Sequence, residues 1–157
     1  MVANFILRVH EARREEITQL RLYKLLYFSH GWYLAEHEQP LVWNYFEAWE
    51  NGPVIKVVRD CFSKFGKSPI TEYCSMFDLR AGKYLVLPST LMSLDEHFIE
   101  GVIDAYKKYS SRQLSLLTHT TGSSWDLVWN SKRPVGRFGL RLTNDEILRE
   151  FQDIVDK

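Results

Sequence analysis

The chain has 157 residues, 45% of them hydrophobic and 25% charged, with 20 basic side chains balancing 20 acidic ones. That length suits a single domain, residues 1–157, with an ordinary buried core. The charge balance lacks the basic excess expected of a nucleic-acid binder, so a nucleic-acid partner is not expected. No apolar run approaches the roughly 18 residues that cross a bilayer. The opening MVANFILRVHEARREE lacks the basic start and continuous apolar core of a secretion signal. No membrane partner is expected, and the predicted location is the cytoplasm.

Val2, Phe5, Ile6 and Val9 recur at helical spacing and predict a helix over Val2–Arg13. Its basic residues are interrupted by Glu11 and followed by Glu15 and Glu16, the pattern of a solvated face. A long helix is predicted over Ile17–Glu38. Leu22, Leu25, Leu26, Ser29, Trp32 and Tyr33 lie on or near one face. Leu20, Tyr23, Tyr27, His30 and Leu34 cover much of the rest. A helix apolar on most sides is surrounded by other elements, which places this one at the centre of the fold. Gly31 within it costs about 1 kcal/mol relative to alanine. Such a glycine points to another backbone packing close, or to a kink.

Pro40 ends the long helix. The aromatic-rich stretch that follows predicts a short strand over Tyr45–Trp49. Asn51-Gly52 is a turn signal. Pro53 fits the first turn of a helix over Val54–Phe65, with Val54, Val57, Val58, Cys61 and Phe62 inward and Gly66–Pro69 ending it. Ile70–Ala81 reads as loop, and Lys83–Leu87 as a second strand stopped by Pro88. Ser93 and Glu96 form a candidate capping box for a helix over Leu94–Tyr109. Ser110 or Ser111 can cap a short helix through Leu117. Ser124 can cap a turn over Trp125–Asn130, and Lys132–Gly139 is a predicted loop. Thr143 and Glu146 are placed to cap a last helix, Asn144–Val155, with Ile147, Leu148, Phe151 and Ile154 inward. The predicted class is α+β, mainly α-helical. Helices surround a long hydrophobic one, beside a small antiparallel sheet of two or three strands.

Catalytic patterns are absent or incomplete. Gly66-Lys67-Ser68 matches the end of a phosphate-binding loop, but Cys61 stands where its first glycine belongs and the segment follows a helix. Gly66 is better explained as a helix C-cap. Of His10, His30, His37, His97 and His119, none is paired at the spacing of a helical zinc site. His30 and His37 lie two turns apart on one face, too far for one metal. His119, near a helix end, is either a partner for terminal carbonyls or a catalytic base. The nearby Ser123 and Ser124 lack a nucleophile-elbow pattern. Glu47 and Glu50 flank Trp49 as solvated edge residues, or as an acid–base pair if they face a cleft. Cys61 and Cys74 form no C-x-x-C pair, and a chain without a disulfide framework fits a reducing cytoplasm. No catalytic residue, metal or cofactor is assigned.

Three blocks carry a resemblance: Leu22–Ala35 (LYKLLYFSHGWYLA), Phe46–Val54 (FEAWENGPV) and Leu114–Trp125 (LSLLTHTTGSSW). In order and spacing they resemble the Panacea-domain antitoxin family of SocA-like and phage-associated GepA-like proteins. Val2-Ala3-Asn4-Phe5 sits where that family has its opening helix, and Ser124 stands where it often has proline. The resemblance implies an antitoxin of a two-gene system that binds and neutralises a protein toxin encoded by a neighbouring gene. It implies no enzymatic activity. Some members look like adaptors that hand the toxin to a protease, so a protease is a second candidate partner. In the scaffold that the shared motifs imply, Leu25, Leu26, Phe28, Gly31 and Trp32 serve the core and Gly52 and Pro53 a turn, with His119 and Trp125 in the third block. Partner-binding candidates are Tyr23, Tyr27, Trp43, Tyr45 and Trp49, expected on partly exposed faces, because aromatic anchors dominate binding energy. Competing readings are the protease adaptor, a small hydrolase using His119 or Glu47, and an operator-binding regulator.

Overall fold

The computed structural model describes residues 1–131 and 139–155. Helix α1 spans Val2–Arg13 and ends where Arg14 turns left-handed, with φ 57°. Helix α2, Gln19–His37, buries every residue from Leu22 to Gly31, as a helix apolar on most sides must. It packs against α1, α4 (Ser93–Tyr106), α5 (Ser111–Thr118) and α7 (Asn144–Val155). The mainly helical class and the central helix are as the periodicity predicts.

α2 runs on through Gly31, and what packs against it is a side chain and not a backbone. A Cβ there would fall inside the ring of Phe151 on α7. Phe151 is fully buried, edge-on to Trp32 at 5.0 Å and to Tyr27 at 5.7 Å. The missing side chain lets an aromatic plug sit against the central helix.

The strands among the described residues form two sheets. Strand β1, Phe46–Trp49, lies between β2, Gly52–Val54, and β5, Arg141–Leu142, antiparallel to both. Pro53 pairs with Ala48 in this sheet, so it belongs to a strand and not to the first turn of a helix. Helix α3 begins later, at Lys56–Phe62, followed by a 3-10 turn over Ser63–Phe65. Val57 is exposed, against expectation. Strand β3, Ser75–Asp78, lies within the predicted loop and pairs with β4, Lys83–Val86, as a separate hairpin. Its Met76 and Phe77 are both half exposed, so the strand lacked the one-sided burial that reveals a strand in a sequence.

Buried polar groups tie these parts together. Asn4 Nδ2 donates to the carbonyls of Cys74 (3.0 Å) and Leu87 (2.8 Å), while its Oδ1 accepts from the Cys74 N–H (2.8 Å). One side chain thereby closes the base of the β3–β4 hairpin onto α1. Cys61 and Cys74 are joined in a disulfide with their Cα atoms 5.7 Å apart, a spacing that such a bond accepts. This corrects the expectation of two unlinked cysteines.

Two caps follow the sequence and two do not. Ser110 forms a capping box with Gln113. Thr143 and Glu146 bond reciprocally, Glu146 Oε2 accepting from the Thr143 N–H and the Glu146 N–H reaching Thr143 Oγ1. Helix α6, Ser124–Trp129, is capped by Ser123 and not by Ser124. At α4 the N-cap is Met92, and Ser93 makes no cap, because Glu96 is engaged by the Leu91 N–H and by Arg8. Ile154 on α7 is half exposed. Most of the loop predicted at Lys132–Gly139 lies outside the described residues. No helix among the described residues is long and apolar enough to cross a membrane.

Candidate functional site

The three sequence blocks meet at one buried lysine. Lys24 sits in the apolar wrap of α2 with none of its surface exposed. Its ammonium donates to the carbonyl oxygen of Asn51 in the turn between β1 and β2. The same oxygen accepts from Ser115 Oγ on α5 at 3.0 Å. Gly52 follows with φ 98°, a backbone state that side chains rarely adopt. A Cβ on Gly52 would collide with Lys24 Nζ and lie 2.6 Å from Thr118 Oγ1 and 3.3 Å from His119 Nε2. The glycine is required for both reasons.

Aromatic rings close the junction. His119 stacks on Trp125 at 3.8 Å, and Trp125 on Trp129 at 5.4 Å. The Trp125 indole N–H donates to the carbonyl of Trp49 at 2.8 Å, and the Trp49 indole N–H donates to Glu47 at 3.0 Å. Arg59 lies over the Trp49 ring. Below, Tyr27 bonds Ser124 Oγ (2.7 Å) and Glu150 (2.6 Å), and the Ser124 N–H donates to Glu150 at 2.9 Å. A proline at position 124 would have no N–H to give. Here the serine departing from the resembled pattern supplies two hydrogen bonds.

Burial lowers the Lys24 pKa to about 7. Burial, and then Lys24 itself, also holds His119 below its usual range, and its Nε2 is enclosed without a partner. Burial lowers His30 to about 4. Because Lys24 is sealed from solvent, its position suits fastening the Asn51–Gly52 turn to the central helix. Lys24 has a measurable consequence for stability. Between pH 7 and 10.5 the unfolded chain holds a proton that folded Lys24 has released, so stability rises with pH. Unfolding by denaturant should give a free energy about 2 kcal/mol higher at pH 9 than at pH 7 from this group. Lys24→Met should flatten that rise while Ser115 still satisfies Asn51. An unchanged pH slope in the variant would contradict a buried, titrating Lys24.

The partner-binding candidates separate sharply. Tyr23 is 8% exposed and Tyr27 is fully buried, so their expected exposure is corrected. Burial pushes the Tyr23 phenol up to about 12 and that of Tyr27 well above its ordinary value. Both lie on the inner side of α2, as a helix surrounded on all sides requires. Trp43 is 85% and Tyr45 63% exposed, Trp49 is half-buried, and Arg141 lies over the Tyr45 ring at 4.7 Å. The scaffold candidates Leu25, Leu26, Phe28 and Trp125 are buried and Trp32 is packed against the core. Sequence reasoning passed over Lys24, although a lone cation in an apolar helix was a visible signal. It also passed over the exposed hairpin residues Phe77, Tyr84 and Val86.

Comparison with known proteins agrees with the convergence of the blocks. Residues 22–126 match the model of the antitoxin SocA-like family, Panacea domain. The chain is similar to Antitoxin SocA of Caulobacter vibrioides (strain NA1000 / CB15N), 34% identical over 151 residues. That similarity covers 96% of this chain and 80% of the relative. No solved structure matches. The family match begins at Leu22, two residues before Lys24, and ends at Asp126, one residue past Trp125, and the chain therefore belongs to the antitoxin SocA-like, Panacea-domain family.

Proposed function

We propose that the chain is an antitoxin that neutralises a cognate protein toxin, encoded by a neighbouring gene, by direct contact. It acts as a single domain in the cytoplasm and without a catalytic step. The observation that carries this reading is the 34% identity to Antitoxin SocA across 96% of the chain. Trp43 and Tyr45 supply the contact. They are large, exposed and next to strand β1, and aromatic anchors of this kind carry most of the energy of protein interfaces. The family junction around Lys24 is interior and holds the surface in place.

The side chains of the hydrolase reading are otherwise engaged, His119 by its stack on Trp125 and Glu47 by the Trp49 indole. In a reducing cytoplasm Cys61 and Cys74 would stand as two thiols. Asn4 and the pairing of Thr18 with Pro69 would still hold that segment.

Co-expression with the adjacent gene tests the proposal, with growth and toxin level followed together. Rescue with toxin intact is the expected result. Rescue with toxin lost would replace direct neutralisation by delivery to a protease. A toxic neighbour that is not rescued would remove the antitoxin assignment for that pair. Trp43→Ala and Tyr45→Ala together should abolish rescue while leaving the fold intact. Each interface anchor is worth about 2 kcal/mol or more, so the pair should weaken binding about 1000-fold. Rescue by the folded double variant would show that the contact lies elsewhere.

A further inference from the structure

Away from the Lys24 junction, the cysteine pair is chemistry that toxin binding leaves unused. Cys61 lies in the last turn of α3 and Cys74 at the base of the β3–β4 hairpin. The fold holds both positions without help from the bond between them. Asn4 clamps Cys74 through its N–H at 2.8 Å and its carbonyl at 3.0 Å. Phe62, next to Cys61, is buried in the core. The chain between the cysteines is tied down by the Ile70 N–H on the Ile17 carbonyl, at 2.8 Å, and by the Lys64–Glu72 ion pair. Two thiols at these positions therefore stay neighbours, and a bond between them closes as an intramolecular step.

The surroundings suit thiols as well as a disulfide. The Ser75 carbonyl oxygen lies 3.7 Å from Cys61 Sγ and 4.0 Å from Cys74 Sγ. A thiol S–H donates to such an oxygen and a disulfide has no hydrogen to give, so this contact becomes a hydrogen bond only in the reduced pair. The two sulfurs differ in access. Cys61 is half-buried and lines a half-open cavity of about 290 Å³ with Asp60, Lys64, Tyr73 and Tyr84. Cys74 is 8% exposed and does not line it.

We propose that Cys61 and Cys74 form a reversible thiol–disulfide switch whose co-substrate is a small disulfide of the glutathione class. From the cavity side, the Cys61 thiolate attacks one sulfur of that disulfide. It expels a small thiolate, which takes up the proton that Cys61 released. The Cys74 thiolate then attacks the Cys61 sulfur of the mixed disulfide and expels the second small thiolate, which takes the proton from Cys74. Two electrons leave the cysteine pair, and one small disulfide becomes two thiols. An excess of small thiol runs the steps backwards. The last turn of a helix disfavours a thiolate, so the pair follows the prevailing thiol–disulfide balance and is not a fast peroxide trap. Once closed, the bond staples α3 to the hairpin across a sequence separation of 13 and removes freedom from the unfolded chain. The switch does not depend on what the chain binds.

The reduced, intact chain is equilibrated in buffers of stepped reduced-to-oxidised glutathione ratio, quenched with iodoacetamide and weighed whole. The expected result is a passage from two alkylated cysteines to none, reversed when reduced glutathione is restored. Cys74→Ser should trap one glutathione on Cys61. Folded Cys61→Ser should stay free of adduct, because Cys74 is buried. The oxidised chain should melt about 6–12 °C above the reduced one, given the loop length and the chain size. Two alkylated cysteines at every ratio, a bond that reduced glutathione does not reopen, or a disulfide-linked dimer would each overturn the switch. So would an adduct on Cys61→Ser in place of Cys74→Ser, or equal melting temperatures in the two states.

Discussion

Gly31→Ala should destabilise the chain by about 1–3 kcal/mol, although alanine at a helix interior is ordinarily about 1 kcal/mol better than glycine. The reversal comes from Phe151. The added methyl would occupy the space of its ring, and the ring cannot retreat, because Trp32 and Tyr27 abut it at 5.0 and 5.7 Å and Phe28 lies at 6.2 Å. Phe151→Ala alone should cost about 3–5 kcal/mol, as the loss of a fully buried phenyl does. In that background Gly31→Ala should become neutral or stabilising, since the methyl then enters an empty cavity and the helix preference is free to act. Urea denaturation of the four proteins forms a double-mutant cycle. Additive effects would show that α7 does not seat Phe151 against Gly31.

Gly52→Ala should be at least as damaging. Holding a non-glycine residue at φ 98° costs about 1–3 kcal/mol. The new methyl must also displace Lys24 Nζ and Thr118 Oγ1. Moving Lys24 strands its buried amine away from its acceptor, a loss that costs about 1–3 kcal/mol. A total near 4 kcal/mol would consume much of the 5–15 kcal/mol that holds a typical domain together. A denaturation midpoint shifted by only a few tenths of a molar would contradict the packed junction. Lys24→Met with Gly52→Ala should recover part of the loss if the collision with Nζ is the larger component.

Much of the architecture was legible because burial is strongly one-sided or complete where it matters. α1 is recovered to the residue, and α2 stands out because apolar residues cover all its sides. The Thr143–Glu146 cap and the Phe151 face of α7 also follow from spacing. The second sheet was half legible. The strand predicted at Lys83–Leu87 is β4, Lys83–Val86, but its partner β3 was read as loop, because Met76 and Phe77 are both exposed and show no one-sided burial by which a half-buried strand announces itself. Pro53 was misplaced for a related reason. A proline after Asn-Gly fits a helix start, yet as part of a three-residue strand beside β1 it pairs with Ala48.

The site was legible as motifs and not as geometry. Gly52, Pro53, His119 and Trp125 stand out along the chain, but only the fold brings Lys24 to the Asn51 carbonyl. Exposure cannot be read from residue type. Tyr23 and Tyr27 share the chemistry of Tyr45, yet the first two are core residues and the last is on the surface. The disulfide escaped notice for a similar reason, since Cys61 and Cys74 are brought together by the closure of α3 onto the base of the hairpin.

Neutralisation by contact can be tested with purified components. The chain and the product of its neighbouring gene would be mixed with no protease present, and both complex formation and toxin activity measured. The account predicts a stable complex with toxin activity suppressed at equal stoichiometry, and loss of both when Trp43 and Tyr45 are replaced by alanine. Full toxin activity beside a saturating excess of folded wild-type chain would contradict it.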